Sequence, residues 1–466
     1  MRLTRFALVV VTLCFFTVNR QTSAQDETTE LTAFQILDLI AANGDYAFAA
    51  AAADITIARA RLGEASSALY PRLSLNATGQ GYQSTQKYLE DNAEIYGTVE
   101  VVQPIYDFGK SGSVIDAAGS EVEAAEQALI TARNTVLLEG LALFFELHAS
   151  ELQLRSYNET HASAYVRWDR VKEQLGLGRA SPVDVAKALA LVEKTRLDYF
   201  RERSRNFTYR IRLEELIAQQ LPEELISPPS PPDKRPLEVD REEFSRIVMS
   251  RNPELAVLTK QVEAAAARRG GVSSLPSLEA FGNLGHSSRD LRGRNEYAVG
   301  ARLSWSIFDG GVKGAKRNRL AAEESRLNAR LEVKRRQLHL KAYSVLMERD
   351  DSYQRVIAAK AGQQYASKNL LRRQQLYSQE RVADLGRAMI ENSLAEAELI
   401  RATGAYLVES AWVALLLGDH PAKGLEEGFL ASVMGTRANA PTEDYIPKAG
   451  SGFGQDDQDK VNRKIE

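Results

Sequence analysis

The sequence predicts a mainly α-helical protein with a small β part: long coiled-coil helices forming a helical barrel, plus four transmembrane β-strands per protomer, in an internally duplicated chain. Three observations carry this expectation. Residues 105–181 and 277–420 contain no proline and space their apolar residues alternately by four and three, as coiled-coil helices do. Four short segments alternate apolar and polar residues with a period of two, as strands do. The third observation is that the second half repeats the first.

The N-terminus is set apart first. Arg2 and Arg5, the apolar run Phe6 to Val18, and Thr22-Ser23-Ala24 before Gln25 read as a secretory signal, residues 1–24, outside the fold. The single Cys14 lies inside that run, so no disulfide framework, thiol catalyst or thiolate metal site is expected in the mature chain. Removing Arg2, Arg5 and Arg20 takes the formal charge from −3 to −6, which argues against nucleic acid as a partner. Beyond residue 24 the longest apolar runs are Ala47–Ala53 and Ala411–Leu417, far short of the roughly 18 residues of a spanning helix. A membrane crossing is therefore expected from strands.

The repeat is read from paired residues. Val101, Ile105, Tyr106 and Asp107 match Leu303, Ile307, Phe308 and Asp309 at an offset of 202, which also pairs Arg179 with Arg381 and Ala186 with Ala388. Upstream, Asn43 and Pro71 correspond to Asn252 and Pro276 with a four-residue difference in length, about one helical turn. The expected divisions are a first repeat at 25–221, a proline-rich linker at 222–238, a second repeat at 239–420 and a disordered or loosely draped tail at 421–466. Each repeat reads helix, two strands, then a long helical hairpin.

In the first strand Leu73, Leu75, Ala77 and Gly79 oppose Arg72, Ser74, Asn76, Thr78 and Gln80. Ile95, Gly97, Val99 and Val101 oppose Tyr96, Thr98 and Glu100 in the second, and Leu278, Ala280, Gly282 and Leu284 oppose Glu279 and Asn283 in the third. The fourth sets Tyr297, Val299, Ala301, Leu303, Trp305 and Ile307 against Gly300, Arg302, Ser304 and Ser306. About ten residues is the length of a tilted transmembrane strand, and Tyr82, Tyr96, Tyr106, Trp305 and Phe308 gather near the ends. A soluble half-exposed sheet would show the same alternation. If the strands lie in lipid, four cannot enclose a lumen and open edges cannot remain in hydrocarbon, so several copies must pool their strands. Arg72, Glu100, Glu279 and Arg302 would then line the inside, either as a mixed-charge ring or as isolated solvated charges.

A helix from about Ser111 to Leu175 would be near 100 Å long at ~1.5 Å per residue. Leu141, Phe145, His148 and Leu152 form its seam, and Val185, Leu189, Val192 and Tyr199 form that of its partner. The hairpin tips fall at 176–182 and 378–384. Gly178 can end one helix, Ser181 can cap the next with Pro182 as its first residue, and Asp184 suits the helix dipole.

No constellation for catalysis stands out, and no enzyme activity, cofactor or metal is expected. Gly109-Lys110-Ser111 resembles the end of a phosphate loop, but Pro104 occupies the position that motif gives to glycine. The five His show no close ligand spacing; His148 on its apolar seam reads as a packed core residue, and Asp107 and Asp309 read as helix caps.

The run Val101-Val102-Gln103-Pro104-Ile105-Tyr106-Asp107-Phe108-Gly109, its echo from Leu303 to Gly311, and the tip Leu177-Gly178-Arg179-Ala180-Ser181 with Asp184-Val185 resemble the TolC-type outer-membrane efflux proteins over about residues 30–420. The resemblance implies a homotrimer with a 12-stranded barrel in outer-membrane lipid and a tunnel through the periplasm. That assembly would be a passive conduit for efflux or secretion, docking onto a periplasmic adaptor (membrane fusion protein) and an inner-membrane pump. It also places Gly178, Arg179, Ala180, Ser181 and Asp184 at one adaptor-contacting, pore-constricting tip, and Arg381 and Asp384 at the other. The second tip has Glu380 and Gly386 where the first has Gly178 and Asp184. A soluble periplasmic coiled-coil adaptor or structural protein is the alternative expectation.

Overall fold

The computed structural model describes residues 31–82, 92–221, 230–232, 236–287, 296–379, 384–426 and 428–435. The chain runs α1 (Ala33–Asn43), α2 (Asp45–Ser67), β1 (Arg72–Tyr82), β2 (Asn92–Tyr106), α3 (Lys110–Gly176) and α4 (Pro182–Ile217). It continues with α5 (Arg241–Arg251), α6 (Pro253–Gly270), β3 (Ser277–Ser287), β4 (Tyr297–Ser304), α7 (Val312–Ser378) and α8 (Leu385–Leu416). Two short helices follow, α9 (Pro421–Gly424) and α10 (Phe429–Met434).

The duplication is literal: α3 and α7 each have 67 residues. Both start behind the same device. Asp107 accepts hydrogen bonds from the Gly109 and Ser111 N–H groups, and Asp309 accepts from those of Gly311 and Lys313. Gly109 (φ 83°) and Gly311 (φ 90°) take the left-handed conformation that turns strand into helix at low steric cost. One helix before the strands is expected in each repeat, but there are two. The break falls at Gly44 and at Asn252, whose side chain accepts from the Glu254 and Leu255 N–H groups and caps α6.

Two cores sit where the short helices meet the middle of the long ones. In the first, Ile36, Leu37 and Ile40 of α1 meet Leu137, Leu141, Phe144 and Leu147 of α3, Leu213 and Ile217 of α4, and Ala411 and Leu415 of α8. In the second, Phe244 and Val248 of α5 meet Leu338, Val345 and Leu346 of α7 and Val413 and Leu416 of α8. In the tail expected to drape from residue 421, the described residues include α9 and α10, and Leu425, Phe429 and Leu430 pack onto these cores. The expectation that no helix could span a membrane also needs correction. By length and composition α3 and α8 each contain a sufficient window. The apolar residues concerned, such as Leu141, Phe144, Ala411 and Leu415, are instead buried in the first core.

The helices form an open arc at two levels. Above, α3 packs between α2 and α6, and α6 packs on α7; below, α3 packs between α4 and α8, and α8 packs on α7. No extensive packing joins α7 to α2 or to α4 among the described residues. The antiparallel sheet repeats the pattern in the order β1-β2-β3-β4, so β1 and β4 are its edges.

Candidate functional site: a two-faced sheet and the helical tips

The sheet register sorts every strand residue onto one of two faces. Leu75 pairs with Val99, Val99 with Leu284, and Leu284 with Tyr297, while Leu73 pairs with Val101, Val101 with Gly282, and Gly282 with Val299. One face is thus continuously apolar, and nothing among the described residues covers it: Leu73, Leu75, Ile95, Leu284 and Leu303 are exposed and Val299 is 87% exposed. Water leaves such a surface unpaid by roughly 25 cal/mol per Å², and a contiguous patch of this kind marks a membrane or partner contact.

The other face carries the four charges singled out in the sequence. Glu279 stands opposite Arg302; Arg72 lies in the row through Val102 and Phe281, with Glu100 in the next row of that face on one side and Glu279 and Arg302 in the next on the other. Arg302 reaches past β3 to Glu100 at 3.8 Å, its guanidinium 4.8 Å from the centre of the Phe281 ring. Glu100 and Arg302 are the repeat-equivalent pair, so one protomer already holds both signs together. Phe281, on the polar face among charges, was not anticipated. Its alternation signal is that of a polar position, and only the register shows it beneath Arg302.

β4 ends at Ser304, earlier than the alternation through Ile307 suggested. Its partner β3 begins at Ser277, opposite Ser304, and Pro276 before it has no N–H to extend the ladder. Trp305 leaves the sheet and donates its indole N–H to the Ser274 carbonyl at 2.9 Å. Tyr106 and Phe108 stack edge to face at 4.7 Å at the corresponding corner of the first repeat, and Phe308 is 89% exposed at the second.

At the opposite end of the helices, the first tip is closed by backbone chemistry. The Arg179 N–H donates to Gln174 and the Gly178 N–H to Leu175, with Gly178 at φ 69°, which is the paired C-terminal cap that favours glycine. Ser181 and Asp184 then form a reciprocal capping box at the start of α4: the Ser181 N–H donates to the Asp184 carboxylate and the Asp184 N–H to the Ser181 hydroxyl. The Ser181 hydroxyl and backbone bonds hold the Asp184 carboxyl below its usual range. At the second tip Asp384 caps α8 by accepting from the Arg387 N–H, and Arg381 lies outside the described residues.

Above the tips His148 is buried, as its place on the seam suggested. Burial, aided by nearby Arg155, keeps its imidazole pKa below the ordinary histidine value. On the partner seam Val192 is buried but Leu189 is exposed, so the α3–α4 contact is narrower than the spacing implied. Sequence reasoning also missed Glu202 of α4, which is 2% exposed beside Arg205. Burial raises its carboxyl pKa, against the opposing pull of Arg205 and Arg401.

Residues 40–219 match the family model described as outer membrane efflux protein. Over those residues the chain is similar to the outer membrane efflux proteins. Solved structures share the fold of the chain over more than four fifths of its length. The CmeC outer membrane channel of Campylobacter jejuni aligns with a TM-score of 0.64 at 17% identity, covering 87% of this chain and 89% of that one. The outer membrane protein VceC of Vibrio cholerae gives 0.61 at 16%, covering 84% and 97%. The MtrE channel of Neisseria gonorrhoeae in its open state gives 0.61 at 17%, covering 84% and 89%. No curated protein matches the chain in sequence. Among its described residues no group of His, Cys, Asp and Glu is arranged to hold a metal ion.

Proposed function

We propose that this protein is the outer-membrane channel-tunnel subunit of an export system, working as a homotrimer with a 12-stranded barrel. The observation that carries this reading is the unclosed sheet: an exposed apolar face running across four strands, with the outer edges of β1 and β4 unpaired among the described residues. Hydrocarbon tolerates no free strand edges, and roughly eight strands would be filled by their own side chains, so three copies of four give the smaller closed wall with an open lumen. The helical arc opens along the same line. Val333, Leu340 and Met347 recur every seven residues on α7 and are exposed, Leu340 by 70%. Phe200 and Phe207, also seven apart, stand exposed on α4. Each is a coiled-coil seam lacking its partner, and the α7 edge of one copy is suited to the α2 and α4 edges of the next.

In this assembly Arg72, Glu100, Glu279 and Arg302 face the lumen of the barrel. The tips at Gly178, Arg179, Ala180, Ser181 and Asp184, and at Arg381 and Asp384, form the periplasmic aperture and meet an adaptor coupled to an inner-membrane pump. The duct catalyses nothing itself; opening is a loosening of helix pairs at the tips, biased by adaptor contacts. Separation of membranes followed by extraction tests the reading. A detergent-dependent oligomer that survives without crosslinking and dissociates on heating to a species one third its mass is expected. A monomer in the periplasmic fraction that needs no detergent would overturn it and favour the soluble coiled-coil alternative.

A further inference from the structure

A groove lies at the corner where β4 passes into α7. It encloses about 480 Å³ between the α6–β3 connection and the start of α7, with Ser273, Ser274, Trp305, Ser306, Ile307 and Arg317 among its walls. Three features set its chemistry. Trp305 and Ile307 follow the end of β4 at Ser304, and both are exposed. Arg317 donates to the Val272 carbonyl, Lys313 to that of Ser306 and Lys110 to that of Leu275, so three cations are anchored around the groove by one N–H each and keep others to offer. No carboxylate is among the groove's walls; the nearby Asp309 is engaged by the Gly311 and Lys313 N–H groups.

The duplicated chain supplies its own comparison. At the offset of 202, Trp305, Lys313 and Arg317 correspond to Gln103, Ser111 and Ile115. The backbone role is preserved, since the Gln103 amide donates to the Leu69 carbonyl as the Trp305 indole does to that of Ser274. The cations and the indole are not. Folding alone is satisfied by Gln, Ser and Ile at this corner, which leaves the second repeat's Trp, Lys and Arg to be explained by something they bind.

We propose that this groove holds the phosphodiester headgroup of an anionic glycerophospholipid from the inner leaflet, one per subunit. The proposal rests on the outer-membrane reading above, which puts the helix-joined ends of the strands at that leaflet. Arg317 and Lys313 meet the phosphate, Arg with the fork that suits it. Trp305 sits at headgroup depth with its N–H tied to the protein, and Ile307 and Phe308 reach the upper acyl chains. A headgroup with net negative charge is selected because no wall residue can pair with the ammonium of a zwitterionic one.

The test uses the full-length oligomer in mild detergent, titrated with phosphatidylglycerol or phosphatidylethanolamine and read by native mass spectrometry. Three retained phosphatidylglycerol molecules per trimer are expected, with phosphatidylethanolamine retained at least several-fold less. Lys313→Gln with Arg317→Gln should remove them, whereas Lys316→Gln, outside the groove, should not. Because Arg317 also braces Val272, a second measurement leaves the groove intact: phosphatidylglycerol with brominated chains should quench a tryptophan signal that Trp305→Phe abolishes. Equal retention of the two lipids, retention unchanged in the double variant, or full displacement by inorganic phosphate at matched concentration would overturn the site while leaving a detergent-dependent trimer standing. A soluble monomer would instead remove the reading beneath it.

Discussion

Replacing Val299 with Lys tests the two-faced sheet most directly. Val299 stands mid-strand on β4, opposite Gly282, on the exposed apolar face. If that face meets lipid, the ammonium must enter hydrocarbon or deform the bilayer around it, at about 2–4 kcal/mol near the midplane. Three copies multiply this to roughly 6–12 kcal/mol per assembled barrel, comparable with the whole stability of an ordinary domain. Asn283→Lys is the matched control: it lies on the polar face opposite Glu100 and Ala298, where a cation meets water and a carboxylate and should shift stability by no more than ~1 kcal/mol. The assay is the yield of heat-dissociable trimer in outer membranes, followed by the dissociation temperature of each variant in lipid nanodiscs and in detergent. Val299→Lys should be depleted from membranes and weakened in nanodiscs, with a smaller loss in detergent micelles, which deform around the charge. Equal behaviour of the two variants would refute the assignment of faces, and with it the barrel.

Gly404 of α8 crosses α3 so closely that an added Cβ would stand 2.5 Å from Cβ of Phe145, so Gly404→Ala should cost about 1–3 kcal/mol, read by denaturant unfolding. Glu202 is buried with its carboxyl pKa raised, so its charged form burdens the folded state increasingly as pH rises from the ordinary glutamate value of 4.5. Glu202→Gln should therefore raise the melting temperature at pH 7.5 with little effect at pH 4; a loss at pH 7.5 would show that pairing with Arg205 and Arg401 outweighs burial. Asp384→Arg removes the cap of α8 and reverses a charge at the aperture, and should change single-channel conductance in planar bilayers. Unchanged conductance from intact trimers would take Asp384 out of the gate.

Much of the architecture was legible in the residues. The four alternations gave the strands because a pleated strand shows opposite faces at successive residues, a local property. The proline-free runs and the Gly178, Ser181, Pro182 and Asp184 signals placed both ends of the first hairpin for the same reason: caps are satisfied within a few residues. Less legible were features whose cause lies far along the chain. The short helices α9 and α10 read as tail by composition, and the few apolar residues there pack on the two cores, Leu425 on the first and Phe429 and Leu430 on the second. Leu189 fitted a heptad but is exposed, since α4 packs on one flank of α3 while the other flank of α3 meets α8.

Short-range rules thus decided, from sequence by itself, the duplication, the strand faces, the helix lengths and the turns. Only the tertiary structure decided what those elements leave unfinished: that β1 and β4 are open edges, that α7 carries an unpartnered seam, that Glu100 and Arg302 meet over Phe281, and that Lys110, Lys313 and Arg317 surround a groove beside Trp305. The physical reason is that periodicity records which side of an element is apolar, whereas the partner of that side, be it another helix, a second copy or lipid, is set by packing between residues that the chain holds far apart.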